Sequence, residues 1–282
     1  MLKYKEIFLG GQCNNNCLYC PTIHKDSPQI DFDHIISLLN EKDEDSVAFY
    51  GGEPTLRNNL LEIIRAAREK RYRRIKLLTN GRTLSDFQFI EQVINAGCSL
   101  FEIELWGSNP QLHDHLTQAS GSFMETVRGL ENLGGFAEKK FVCMRIPVCN
   151  ENYQDIENTV ATSLSFGIDR VILSIQDHKL SFQSILPHIK NAINISIFNR
   201  IWIMTEGMPF CIMSGLEQHM GEIYYGWKTY GRIFKQHGYC TDCVYKELCP
   251  ATDEGYLKHF GNKEFTPVVA GRHFQDIKAL YE

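Results

Sequence analysis

Gly11-Gln12-Cys13-Asn14-Asn15-Asn16-Cys17-Leu18-Tyr19-Cys20-Pro21 is the stretch on which the reading of this chain turns. Its three cysteines stand at C-x3-C-x2-C spacing, directly after residues 4–9, an apolar and aromatic run that predicts a β-strand. Thiolate sulfur is the usual protein ligand of a [4Fe–4S] cluster, so one short loop offers ligands for three irons and leaves the fourth open. A structural zinc site asks instead for four ligands in paired knuckles. The nearest further ligand in sequence is His24.

Outward from this loop, strand-like and helix-like runs alternate. Strands are predicted at 4–9, 47–50, 75–79, 100–105, 141–148 and 170–175. Between and after them, helices are predicted at 32–40 with Asp31 as N-cap, 60–70 with Asn58 or Asn59 as N-cap, 86–96 with Gly97 after it, 123–133, 156–166 and 181–193. Six consecutive βα units imply an α/β fold with a parallel sheet and right-handed crossovers, in the form of a partial (β/α)6 barrel. Reactive groups in such folds gather at the carboxyl ends of the strands. After about Arg200 the alternation stops and Gly, Tyr, His and Cys become frequent. The expected domains are therefore a core at 1–200 and a small, loop-rich unit at 201–282.

The chain has 282 residues, 43% hydrophobic and 22% charged, which is ordinary for a globular protein with a sizeable core. Its formal net charge of −5 argues against a nucleic-acid binder. The run Lys70-Arg71-Tyr72-Arg73-Arg74 reads as a helix end followed by a loop. The first residues lack the plan of a signal peptide, and no apolar stretch is long enough to span a bilayer. The expectation is a cytoplasmic protein with no membrane partner, in which ten cysteines point to metal or catalysis rather than to disulfides.

The triad resembles the signature of the radical S-adenosylmethionine (radical SAM) enzymes. Tyr50-Gly51-Gly52-Glu53-Pro54-Thr55, at the end of the second predicted strand, resembles that family's GGEP motif, and Leu78-Thr79-Asn80-Gly81 resembles its TNG turn. The resemblance covers about residues 4–195. It implies that Cys13, Cys17 and Cys20 hold a [4Fe–4S] cluster whose open iron chelates SAM. It further implies that Gly51, Gly52 and Asn80 approach the cofactor and that Glu53 accepts from its ammonium group. A flavodoxin- or ferredoxin-type protein would supply the electron.

Side chains alternate faces along a strand. Glu102 and Glu104 then point into the barrel, and Arg145 on the fifth strand needs an anionic partner. The resemblance favours SAM contacts for Glu102, Glu104 and Arg145; the other reading is an ion pair inside the lumen. Ser174 and Gln176 face inward by the same parity. His113-Asp114-His115 reads as a capping or packing segment, because His residues two apart do not share a helical face.

Cys211 and the run Cys240, Cys243, Cys249, at C-x2-C-x5-C spacing, fit either a second cluster or a zinc knuckle. Radical SAM enzymes with twitch or SPASM extensions carry an auxiliary [4Fe–4S] cluster on similar runs, and the resemblance implies one here, with Cys211 as a ligand or a hydrogen donor. Cys98 reads as core; Cys143 and Cys149 are core residues or hydrogen-atom donors. The expected activity is hydrogen abstraction from a ribosomally made peptide, leading to a crosslink, a thioether or an epimer. Rivals are a dehydrogenase or epimerase of a small molecule such as a sugar, an activase that installs a glycyl radical, and a non-catalytic iron–sulfur or zinc regulator. With the first strand near residue 4 there is no room for a leader-recognition domain before it, so either a separate leader-peptide-binding protein is expected or the core itself must bind the peptide.

Overall fold

The computed structural model describes residues 3–20, 27–136, 140–175, 179–225, 240–250, 252 and 254–269. Seven strands form one sheet in sequence order, β1 (Lys5–Phe8), β2 (Ser46–Tyr50), β3 (Arg74–Thr79), β4 (Leu100–Glu104), β5 (Phe141–Val148), β6 (Arg170–Ile175) and β7 (Trp202–Glu206). Each registered pair from β1 to β5 is parallel, and the sheet does not close on itself. The open α/β class expected from the alternation is what the chain adopts, with seven strands rather than six. The additional strand, β7, lies in the region read as loops after Arg200. Its apolar stretch is only a few residues long and is surrounded by Gly, His and Cys, so it gave little periodic signal.

Compact contacts divide the chain into two units. One comprises Lys3–Ile146 and Asn158–Val171, the other Met1–Leu2, Pro147–Glu157 and Ile172–Glu282. In the first unit α1 (Phe32–Asn40), α2 (Leu60–Glu69), α3 (Phe87–Ala96), α4 (Pro110–Thr117) and α5 (Ser122–Gly134) follow their strands. Local chemistry sets where they start. Asp31 accepts from the amides of Asp33 and His34, and Asp86 from those of Gln88 and Phe89. α2 turns Leu60, Ile63, Ile64 and Ala67 inward at helical spacing, each large side chain contributing about 1.5–3 kcal/mol on burial. α4 was not expected; Asn109, accepting from the Leu112 amide, and Pro110 in the first turn are its start signals. Asp114 fills the capping role expected nearby. Its carboxylate takes the Gly121 and Phe123 amides and the Ser122 hydroxyl at the start of α5.

In the second unit α7 (Phe182–Phe198) packs on β7, and Ser181 caps it. The short helices α8 (Glu222–Tyr225) and α9 (Glu254–Phe260) follow, while α6 (Ile156–Leu164) crosses the division. Tyr256 stacks on Phe182, accepts from its amide and bonds Glu264, which also accepts from Ser181 at 2.6 Å. These bonds tie α9 to the start of α7. Among the described residues no helix is long and apolar enough to cross a membrane.

Candidate active site

The cysteine loop leaves the carboxyl end of β1. Asn16 and Leu18, on either side of Cys17, donate their amides to the Thr117 and Leu116 carbonyls at the end of α4. Those carbonyls have no partner within the helix, so the loop satisfies a helix terminus and is itself fixed by it. Before the loop, Gly10 O accepts from Gly52 N at 2.8 Å and Gln12 O from Glu53 N at 2.7 Å. The glycines permit this contact. A Cβ on Gly52 would lie 2.3 Å from both the Gly11 and Gln12 carbonyl oxygens. The close approach seen at Gly52 is thus to the chain entering the cysteine loop.

Glu53 is almost fully buried at 3% exposure. Its Oε1 accepts from the Thr55 amide, the Thr55 hydroxyl and the Thr79 hydroxyl, and its Oε2 from the Asn80 amide at 2.7 Å. Burial raises its pKa, against the pull of these donors. A carboxylate oxygen offers about two acceptor positions and Oε2 takes one donor, so Oε2 keeps capacity for one more. Asn80 also donates to Asn14 Oδ1 at 2.7 Å and toward Cys13 Sγ at 3.9 Å. One side chain therefore joins the turn after β3 to the cysteine loop, while its backbone holds Glu53. α5 presses on this turn because Gly129 lacks a side chain: a Cβ there would lie 2.5 Å from Gly81 O.

Arg82 went unnoticed in the sequence. It bonds the Asn14 carbonyl, Asn15 Oδ1 and Glu125. Its only sequence signal was its place directly after the Asn80-Gly81 turn.

The three thiols sense one another electrostatically. Burial pushes Cys13 up to about 11, with Glu53, Cys20 and Glu104 adding to the rise, and pushes Cys17 higher still, with Glu104, Cys20 and Cys13 adding. As thiolates they would be clustered anions in a poorly solvated place, the condition that a cationic iron cluster relieves. The donor set therefore fits a [4Fe–4S] group. Among the described residues, no three His, Cys, Asp or Glu side chains close on a point suited to a single metal ion.

Glu104 stands at the end of β4, opposite Arg145 in register. Burial lifts its carboxyl to about 7, against the Arg145 charge, with Glu102 and Glu53 adding to the rise. Glu102 is differently placed. Both its oxygens are engaged, by Lys76 and Arg145, so the structure gives it the lumen ion pair. Cys143, opposite Glu102, is raised to about 12 by burial, as is Cys149 after β5. Both thiols are buried and stay protonated at neutral pH. Cys98 is buried against the carbonyls of Ile75 and Leu100, as a core residue should be. Ser174 is buried on β6, while His24, Pro21 and Gln176 lie outside the described residues.

In the second unit Phe210 and Tyr245 stack at 4.6 Å, bringing Cys211 to the later cysteine run. Cys211 Sγ accepts from the Thr266 backbone and senses Cys243 and Cys240; burial raises its pKa. Turn bonds from Cys243 N to Cys240 O and from Cys249 N to Tyr245 O shape the run. Glu222 was also missed. Its Oε1 accepts from Gly207 N at 2.8 Å, whereas its buried Oε2 has no partner among the described residues.

A loop of three thiols at the carboxyl edge of an open parallel α/β sheet is the arrangement of an iron–sulfur enzyme. Residues 7–162, more than half of the chain, match the family model of the Radical SAM superfamily, and the chain belongs to that superfamily. The family's fold implies a [4Fe–4S] cluster and SAM.

The chain is 30% identical over 154 residues to the Fe-coproporphyrin III synthase of Methanosarcina barkeri, covering 51% of this chain and 37% of that protein. It is 32% identical over 143 residues to a probable GTP 3',8-cyclase of Methanococcus aeolicus, covering 46% and 45%. Among solved structures, Streptococcus suis SuiB bound to precursor peptide SuiA matches with a TM-score of 0.61 and 14% identity, over 80% of this chain and 57% of that one. anSMEcpe with bound AdoMet and Cp18Cys peptide matches with a TM-score of 0.56 and 16% identity, over 70% and 61%. The chain thus spans under two thirds of the length of each of these proteins, and the structural likenesses bear on the fold alone.

Proposed function

We propose that this chain reductively cleaves SAM and abstracts a hydrogen atom from a peptide substrate. The observation that carries the reading is the joining of Cys13, Glu53 and Asn80, from three successive strand ends, by direct hydrogen bonds. When bound, the cluster and SAM would supply one-electron chemistry that cleaves SAM and takes a hydrogen atom from the substrate. Cys13, Cys17 and Cys20 would hold that cluster. Glu53 Oε2 accepts from the ammonium of SAM, Gly51, Gly52 and Asn80 form the wall beside it, and Glu104 and Arg145 bind further polar groups of SAM, with Ser174 a weaker contact. The residues from 201 to 282 form a twitch-like domain whose Cys211, Cys240, Cys243 and Cys249 ligate an auxiliary [4Fe–4S] cluster. The Thr266 amide on Cys211 Sγ suits a ligand, since such bonds stabilise thiolate. Cys143 and Cys149, protonated at neutral pH, are suited to hydrogen-atom donation if the product is an epimer.

The peptide reading is supported by SuiB and anSMEcpe, each solved with a peptide. A small-molecule substrate is the second reading, favoured by the GTP cyclase and coproporphyrin synthase relatives. Partners in the proposal are a flavodoxin- or ferredoxin-type electron donor and a separate leader-binding protein, in the cytoplasm. Anaerobic reconstitution with iron, sulfide, dithionite and SAM tests the chemistry: 5′-deoxyadenosine is expected, and its absence from a chain loaded with iron would refute the reading.

A further inference from the structure

Three ionised side chains meet inside the sheet of the first unit. Lys76 on β3 donates to Glu102 Oε2 at 2.9 Å, and Arg145 on β5 donates from Nε to Glu102 Oε1 at 2.5 Å. Their side chains are only 11%, 4% and 8% exposed for Lys76, Glu102 and Arg145. Lys76 also stands over the Tyr4 ring, 4.8 Å from its centroid. As a source of stability such a triad is poor, because desolvating the charges offsets most of their attraction. Its effect on charge is clearer. One carboxylate is shared by two cations, so the three side chains together carry one net positive charge, on which the buried Glu104 carboxyl facing Arg145 also draws. Without Lys76, Glu102 would belong wholly to Arg145 and the pair would be neutral. Register places Arg145 opposite Glu104, two pairs beyond Glu102 toward the carboxyl ends of the strands. The excess charge is thus offered at the end of the sheet that carries Glu53 and the cysteine loop.

We infer that Lys76 and Glu102 are positioning residues for anion recognition. They fix the Arg145 guanidinium and set its charge so that it receives the carboxylate of SAM. This rests on the SAM reading above and adds two residues that touch no cofactor.

The test uses the full chain, reconstituted anaerobically, with SAM dissociation constants from equilibrium dialysis and iron content measured on each sample. Lys76→Met should weaken SAM roughly ten- to thirtyfold, the effect of one charge at about 8 Å in a medium of intermediate dielectric. Lys76→Arg should bind as the wild type does. Lys76→Met combined with Glu102→Gln restores the net positive charge and should recover most of the affinity, whereas a purely structural role makes the double variant no better than the single one. Decarboxylated SAM, which lacks the anion, should bind Lys76→Met no more weakly than wild type. Should Lys76→Met fail to load iron, Lys76→Gln serves the same comparison. Unchanged affinity in Lys76→Met, a further loss in the double variant, or equal weakening of decarboxylated SAM overturns the inference while leaving the SAM reading intact. A wild type that loads iron but binds no SAM removes both.

Discussion

The cysteine loop at 13–20 is held from several sides, by the end of α4, by Asn80, by Arg82 and by the segment from Gly52 to Glu53. In the later run, from Cys240 to Cys249, turn bonds recur beside longer-range ties such as the Phe210–Tyr245 stack and the bond from Val244 to Val268. A parallel sheet supplies ready-made anchors at its carboxyl edge, and the first loop uses them. Cys13, Cys17 and Cys20 are thus carried by the fold.

The contrast breaks most sharply at the cysteines themselves. Cys17→Ala should reduce SAM cleavage to background, read as 5′-deoxyadenosine under dithionite; turnover at the wild-type rate would disprove the role of the first loop. Next, Cys243→Ala should keep SAM cleavage while losing modified product. Normal product formation by this variant would make the second cysteine group structural at most.

Gly52→Ala probes the anchoring of the first loop. With no room for a Cβ, it should destabilise the protein by about 2–4 kcal/mol. Gly134→Ala, at the end of α5 where a Cβ meets nothing within 4 Å, should be neutral or slightly stabilising. Equal melting temperatures for the two variants would mean that the close approach at Gly52 relaxes freely.

The smallest effect concerns Glu222 in the second unit. Burial raises its carboxyl from the ordinary 4.5 to about 8. An acid with a raised folded pKa contributes fully below its unfolded value, and that contribution is lost as pH climbs from about 4.5 through about 8. Glu222→Gln removes this fall, so its melting temperature should rise above that of wild type across that window and match it in acid. Parallel curves would show that Glu222 titrates as an ordinary carboxylate.

Much of the first unit was legible because its signals are local. Asp31 and Asp86 announce their helices, and the apolar runs of β2 and β5 announce buried strands. The cysteine spacing and the GGEP-like and TNG-like turns named the site. What the sequence hid depends on neighbours distant along the chain. The engagement of Glu102 by Lys76 and Arg145 needs three strands in register, and parity alone left it open between SAM and an ion pair. Gly129 reads as a poor helix residue until the turn beneath it is seen. β7 was missed among the Gly, His and Cys that follow it, and for α4 the Asn109-Pro110 start was the available clue.

The bonds made by Asn80 also bear on the order of assembly. They join residues 14, 53 and 80, and the Thr126 hydroxyl then closes over the Asn80 carbonyl. Contacts this far apart in sequence form late, after the intervening strands have found their register. A growing chain therefore cannot complete this set of bonds until its fifth helix has left the ribosome. In refolding followed by pulsed hydrogen exchange, the Asn80 amide should gain protection no earlier than the amides of β4.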